Sequence, residues 1–245
     1  MYEPRLYREQ MEKGRFNSIR IAEGETDLWI GVNPGFPNEK VRLELNQFII
    51  ELRSVLEEYI NSFPEFLHSH NPMDILDGDP ELIRKMKTAG IASGTGPMAS
   101  VAGTFAMFAG KYLQQIMPCH EFIVENGGDI FMKIEEEICI SPFIQENELF
   151  KNMVLKITPG ENYLSVCSSS GTFGHSFSYG KADLVTVISP DASLADAWAT
   201  SLANRIQDKE DVGKVAAILP ENIFAVLAVK DDKMAYRGRY SFLNI

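Results

Sequence analysis

The chain has 245 residues, of which 45% are hydrophobic and 23% charged, enough apolar material for a sizeable core. Its net charge of −11 excludes a surface built for nucleic acid or an anionic membrane, because such partners need clustered Lys and Arg to displace counterions. Small molecules and other proteins remain as partner classes.

The opening stretch, MYEPRLYREQMEKGRF, is polar and carries no apolar signal core, and no later run approaches a membrane span. The three cysteines, Cys119, Cys139 and Cys167, lack C-x-x-C spacing and read as buried, unpaired thiols in a reducing compartment, so the chain is expected to be cytoplasmic. Two β-rich runs, Ser18 to Ala22 and Asp27 to Val32, flank a Glu-Gly-Glu turn and predict a hairpin. From Glu39 to Phe63, apolar residues recur at spacings of three and four, the pattern of a long amphipathic helix. The turn-rich loop LHSHNPMDILDGDP then leads into a short helix, PELIRKMKTAG.

A charge-poor helix rich in Ala, Met and Phe is predicted from Pro97 to Met117, buried on most sides. The period then changes. EFIVENGGDIFMKIEEE reads as two strands around Asn126-Gly127-Gly128, and the segment from Tyr163 to Ser189 adds at least two more. SLADAWATSLANRIQ predicts a second helix with Leu194, Trp198, Leu202 and Ile206 inward, and a hairpin about Asp231-Asp232 closes the chain. Strands group with strands and helices with helices, so the class is α+β with a largely antiparallel sheet. A single domain is expected, one that admits two pseudo-equivalent halves.

Four motifs carry candidate chemistry. Gly94-Thr95-Gly96-Pro97-Met98-Ala99 spells G-x-G-x-x-A, yet a dinucleotide fingerprint needs an apolar parallel strand before the first Gly, and a basic helix end stands there instead. What survives is a Gly-rich turn with Pro97 at the first helical position and backbone N–H groups of residues 96 to 100 available to an anion, or simply a tight loop before a buried helix. Glu125-Asn126-Gly127-Gly128-Asp129 is a hairpin turn whose glycines either serve the turn alone or leave room for a flat ligand with Asn126 or Asp129 on its polar edge.

The third motif, SSSGTFGHSFSYGKAD, concentrates hydroxyls, His175 and Asp183. A Ser170-His175-Asp183 triad can be drawn from it, but neither G-x-S-x-G nor a phosphate-binding Lys loop is present. In the fourth, Asp196, Thr200 and Asn204 fall on one helix face at i, i+4 and i+8. A carboxylate and a hydroxyl one turn apart are hard oxygen ligands suited to Mg²⁺. Ser193 and Asp196 also spell a capping pair, and from the residues alone capping is the simpler reading. His68 and His70 at i, i+2, and the isolated His120, make a poor zinc set.

In their order along the chain these motifs resemble the ApbE-like superfamily of FAD:protein FMN transferases, and within it the UPF0280 branch. The resemblance runs from about Thr26 to Ile206. It rests on the small-residue helix around Gly103, the Gly-Gly-Asp-Ile turn, the Ser-Gly segment near residue 170, and Ala-Asp-x-x-x-Thr. It implies a T-fold-like architecture of antiparallel sheet with paired helices. It further implies Mg²⁺ on Asp196, Thr200 and a backbone carbonyl near Val101 or Ala102, with FAD or a related flavin nucleotide at Gly127, Gly128 and Asp129. The small-residue helix start, with Gly96, Met98, Ala99 and Gly103, is then expected against the nucleotide, and Asn126, Ser170, Gly171 and Thr172 complete the ligand contacts.

Transferases of this family carry Lys-Gly where this chain has Ala102-Gly103. Three functions follow: a Mg²⁺-dependent enzyme transferring FMN to a protein acceptor or splitting FAD, with His175 or Asp129 as proton acceptor; a ligand-binding protein that keeps the pocket without transfer; and a homo-oligomer paired through its sheet edges.

Overall fold

The structure is a computed structural model and describes residues 14–35, 37–141, 150, 153–160, 163–171 and 180–244. Strand β1 (Asn17–Glu23) pairs with β2 (Thr26–Asn33), and helix α1 (Glu39–Ser62) follows. Its N-terminus is capped by Asn38, whose side chain accepts from Val41 N–H at 3.0 Å. A short helix α2 (Glu65–His68) and helix α3 (Glu81–Ser93) precede a 3₁₀ turn, Pro97–Ser100, which runs into helix α4 (Val101–Ile116). Strands β3 (Glu121–Asn126), β4 (Asp129–Lys133), β5 (Ile138–Ile140), β6 (Met153–Ile157), β7 (Leu164–Ser169) and β8 (Leu184–Ser189) come next. Helices α5 (Ala192–Ala203) and α6 (Val212–Ala216) and strands β9 (Ala225–Lys230), β10 (Lys233–Gly238) and β11 (Ser241–Asn244) complete the order.

Eight strands form one sheet in the order β1-β2-β3-β4-β7-β8-β9-β10, and every pairing in it is antiparallel. The α+β expectation holds. Alternate residues of each strand point to opposite faces, and here both faces are covered. Phe122 and Val124 of β3, Phe131 of β4 and Cys167 of β7 join the core under α1, α3, α4 and α5. Ile123, Ile130, Met132 and Val166, one residue out of phase, pack against Leu155 and Ile157 of a second sheet, β11-β6-β5.

The predicted helix from Pro97 to Met117 is two pieces. Ser100, at φ −123° and ψ 10°, interrupts the helical dihedrals between the 3₁₀ turn and α4. In α5 the inward face also differs from the one expected. Leu202 and Ile206 are fully buried as expected, but Ala192, Ala195, Ala199 and Ala203 are fully buried too, whereas Leu194 and Trp198 lie half-buried on its flank, where the Arg205 guanidinium covers the Trp198 ring. The reason is closeness: the Ala192 carbonyl lies against Gly103 of α4, so small side chains fill the seam.

Candidate ligand and metal site

The period-2 alternation that turns Val124 and Phe131 toward the helices carries Asn126 and Asp129 to the same side, because Asn126 lies two residues after Val124 and Asp129 two residues before Phe131. The two residues face each other in register across the Gly127-Gly128 turn. Both glycines have positive φ, 67° and 103°, the geometry that makes this tight turn possible, and Glu125 Oε1 locks it by accepting from Gly128 N–H at 2.7 Å. Asn126 Nδ2 donates to the Ala102 carbonyl at 3.1 Å, so the turn is fastened to the first residues of α4.

Asp196 reaches the same point from α5. Its Oδ2 accepts from Gly103 N–H at 2.9 Å, and the Ala102 N–H also donates to it. The capping expectation is therefore corrected: α5 is capped by Asp191, which accepts from Leu194 N–H at 3.2 Å, and Asp196 caps α4 instead. No side chain of its own caps α4, so a carboxylate from the neighbouring helix takes its orphan N–H groups. Ser193 likewise turns to α4, where it accepts from Thr104 Oγ1 at 2.8 Å.

Asp129 and Asp196 are both buried and close enough for the Asp196 charge to raise the Asp129 carboxyl. Burial is the largest influence on each. It pushes Asp129 well above the usual carboxylate range, although Ser168 N–H at 3.1 Å and the Cys167 thiol donate to it. It pushes Asp196 up to about 7 against the pull of the Gly103 and Ala102 N–H groups. Among the described residues no Lys or Arg pairs with either carboxylate. Of the three cysteines expected to be buried, Cys139 is exposed on the short strand β5 and Cys119 is half-buried; Cys167, fully buried between the Asp129 carboxyl and the Ala192 carbonyl at 3.5 Å, has its thiol pushed up by burial and then by the two acids. Two residues along the same face of β7, the Ser169 hydroxyl is buried without a hydrogen-bond partner among the described residues.

This donor set suits a hard cation. Thr200 stands half-buried one turn beyond Asp196, and the Ala102 carbonyl is on the opposing helix start. Mg²⁺ takes one or two carboxylates and completes its shell with water or phosphate, so it does not need a cage of side chains. Among the described residues no three His, Cys, Asp or Glu side chains form such a cage. A cation beside Asp129 and Asp196 would offset the charge that burial leaves uncompensated.

The other predicted residues fall as follows. Gly96 starts the 3₁₀ turn with its Cα against the Ser69 carbonyl, Met98 packs on the helical core, and Ala99 N–H is spent within the turn on the Gly96 carbonyl at 3.2 Å. Ser170 and Gly171 continue β7, and Gly171 N–H donates to the Ala182 carbonyl at 2.9 Å. Asp183 accepts from Lys230 Nζ at 3.1 Å and from Asp231 N–H at 2.7 Å, which ties it to the β9–β10 turn. Thr172 and His175 lie outside the described residues. Sequence reasoning missed Cys167 as a neighbour of Asp129. The signal was present in the β7 alternation, but its phase becomes legible only once β7 is known to pair with β4.

Three comparisons bear on this arrangement. The family model described as "AbpE bacteria" matches residues 8–221. A UPF0280 protein of Methanococcus maripaludis (strain C7) is 39% identical over 193 residues, covering 78% of this chain and 76% of that protein. One from Archaeoglobus fulgidus is 36% identical over 207 residues, covering 82% and 84%. A mutant of the flavin transferase ApbE from Vibrio cholerae superposes with a TM-score of 0.55 at 12% identity over 92% of this chain and 97% of that one. The apo flavinyl transferase ApbE of Pseudomonas stutzeri gives 0.56 at 10% over 91% and 94%, so the two solved structures speak to the fold. The matched span includes Asn126, Asp129, Asp196 and Thr200, and the chain belongs to the ApbE-like UPF0280 family.

Proposed function

We propose that this protein binds a flavin nucleotide, FAD or a close relative, together with Mg²⁺, at the junction of the Gly127-Gly128 turn, the start of α4 and the first turns of α5. One observation carries the reading: two adjacent buried carboxylates, Asp129 and Asp196, with no cationic side chain against them among the described residues. With nothing bound, burial drives both carboxyls toward their protonated forms, and a cation would displace those protons and supply the positive charge that no side chain provides among the described residues. Asp196, Thr200 and the Ala102 carbonyl would hold the metal, which when bound supplies charge neutralisation for phosphate oxygens. The flat ring system would lie over Gly127 and Gly128, with the free carbonyl of the Asn126 amide as an acceptor for its edge. The turn through Gly96, Met98 and Ala99 and the Gly103 end of α4 would border the nucleotide, with Ser170, Gly171 and Thr172 on its other flank.

Asp129 or His175 would take the proton of an acceptor hydroxyl if the chain performs FMN transfer or FAD cleavage in the cytoplasm. A second reading keeps the pocket without transfer. It is favoured by Ala102, a methyl group at the helix start where the transferases carry Lys.

Calorimetric titration of Mg²⁺ and FAD into the wild type, Asp196→Asn and Thr200→Val tests the site. Asp196→Asn is expected to abolish Mg²⁺-dependent binding and Thr200→Val to weaken it about tenfold, the loss of one ligand oxygen. Three indistinguishable isotherms would overturn the reading. A flavin absorbance spectrum in the protein as purified would support it directly.

A further inference from the structure

Between Ser54 and Ile83 the chain has seven acidic residues and no Lys or Arg. Glu58, Glu65, Asp74, Asp77 and Glu81 are exposed and have no basic partner among the described residues. The same stretch holds Phe63, Leu67, Ile75 and Leu76, four of the seven large hydrophobic side chains exposed among the described residues. A single exposed Leu needs no explanation, but four within fourteen residues on one acidic loop do.

The loop holds its shape. Asp79 N–H donates to the Leu76 carbonyl at 3.1 Å and Leu76 N–H returns to Asp79 Oδ2 at 2.9 Å. Asp79 is itself anchored inside the molecule by Lys87 Nζ at 2.8 Å and Tyr59 Oη at 2.7 Å. Ile75 and Leu76 are therefore presented on a preformed turn, which lowers the ordering cost of binding. The loop is also held from below: α2 packs on the 3₁₀ turn, and the Ser69 carbonyl fills the space where Gly96 would carry a side chain.

We propose that this surface docks a protein partner through a basic, apolar segment, Lys or Arg residues interleaved with Leu-like side chains. Charge decides among the occupants. Anionic lipid headgroups and nucleic acid are repelled by the acidic rim, and a second copy of the chain, at −11, would bring the same acidic face against itself. A cationic apolar segment satisfies both the rim and the exposed hydrophobics. The inference does not depend on the flavin reading, and its test contains neither flavin nor metal.

The probe is a fluorescein-labelled twelve-residue peptide alternating Lys and Leu, followed by anisotropy with the full chain, against Glu/Leu and Lys/Ser peptides of equal length. The Lys/Leu peptide is expected to bind at least tenfold more tightly than either control, and more weakly as salt rises. Leu67→Ser and the double variant Ile75→Ser/Leu76→Ser should each weaken it at least fivefold at unchanged circular dichroism and melting temperature. Asp74→Asn/Asp77→Asn should flatten the salt dependence. Leu43→Ser and Leu219→Ser, at exposed apolar positions elsewhere, should bind as the wild type does. Equal losses at Leu43 and Leu67, or loop variants that bind normally, would overturn the proposal. So would a wild-type dimer in sedimentation that Ile75→Ser/Leu76→Ser dissociates.

Discussion

A side chain at Gly103 would put two helices in collision: its Cβ would lie 2.4 Å from the Ala192 carbonyl oxygen and 2.9 Å from Asp196 Cβ. The neighbouring atoms are backbone and the root of a side chain, so neither can rotate away. Gly103→Ala should therefore cost about 1–3 kcal/mol of stability through a shift of α4 against α5. It should also lengthen the bond from Gly103 N–H to Asp196, which couples packing to the site. Chemical denaturation and Mg²⁺ titration of the same variant check both halves. A fully stable Gly103→Ala protein would mean that the helix crossing is looser than the geometry states. The atoms that a Cβ at Gly103 would meet belong to α5, a neighbour that no local stretch of sequence names, because helix crossings are set by residues far apart in sequence.

At the scale of elements, α1, α3 and the loop before α3 are joined by Tyr59, Lys87 and Asp79, all buried. Lys87 Nζ donates to Tyr59 Oη and to Asp79 Oδ2, both at 2.8 Å, and Tyr59 Oη donates to Asp79 Oδ1 at 2.7 Å. Lys87→Met leaves the Asp79 charge uncompensated in the interior and should cost roughly 3–5 kcal/mol. Tyr59→Phe removes only the hydroxyl's bonds to charged groups, roughly 1.5–3 kcal/mol. Urea denaturation should rank the two in that order, and the reverse order would show that the ion pair is not what holds the loop. The helical period marked Tyr59 as an inward position of α1, but nothing local linked it to Lys87, which reads as part of a short basic helix. Topology pairs them.

At the scale of the whole molecule, Glu121 binds distant segments into one acid-sensitive knot. Burial alone would raise its carboxyl, but Arg15, Asn33 and the N–H groups of Glu135 and Glu136 donate to it and hold it at about 2. Its folded value lies below the ordinary 4.5, so the stability it supplies is fully present above about 4.5 and drains away as pH falls toward 2. Glu121→Gln should be less stable than the wild type by on the order of 3 kcal/mol near neutrality, and the gap should close toward pH 2. Denaturant titrations at several pH values measure this. A gap that is constant with pH would show that Glu121 acts by shape and not by charge. The small sheet β11-β6-β5, which shelters the opposite face of the main sheet, went unread because its strands are three to five residues long and meet across the chain from Ile138 to Asn244.

Hydrophobic period and turn chemistry, both local, determined the long helices, the Gly127-Gly128 hairpin, the final hairpin and the α+β class from sequence alone. The family resemblance, and not these local signals, singled out Asp129 and Asp196 as ligand and metal residues. Only the tertiary structure decided that α4 starts after a 3₁₀ turn, that alanines form the inner face of α5, and that Asp196 caps a helix other than its own. Those outcomes depend on which helix lies against which strand and at what distance. That choice is made by burying both faces of an eight-stranded sheet at once, and no window of neighbouring residues contains it.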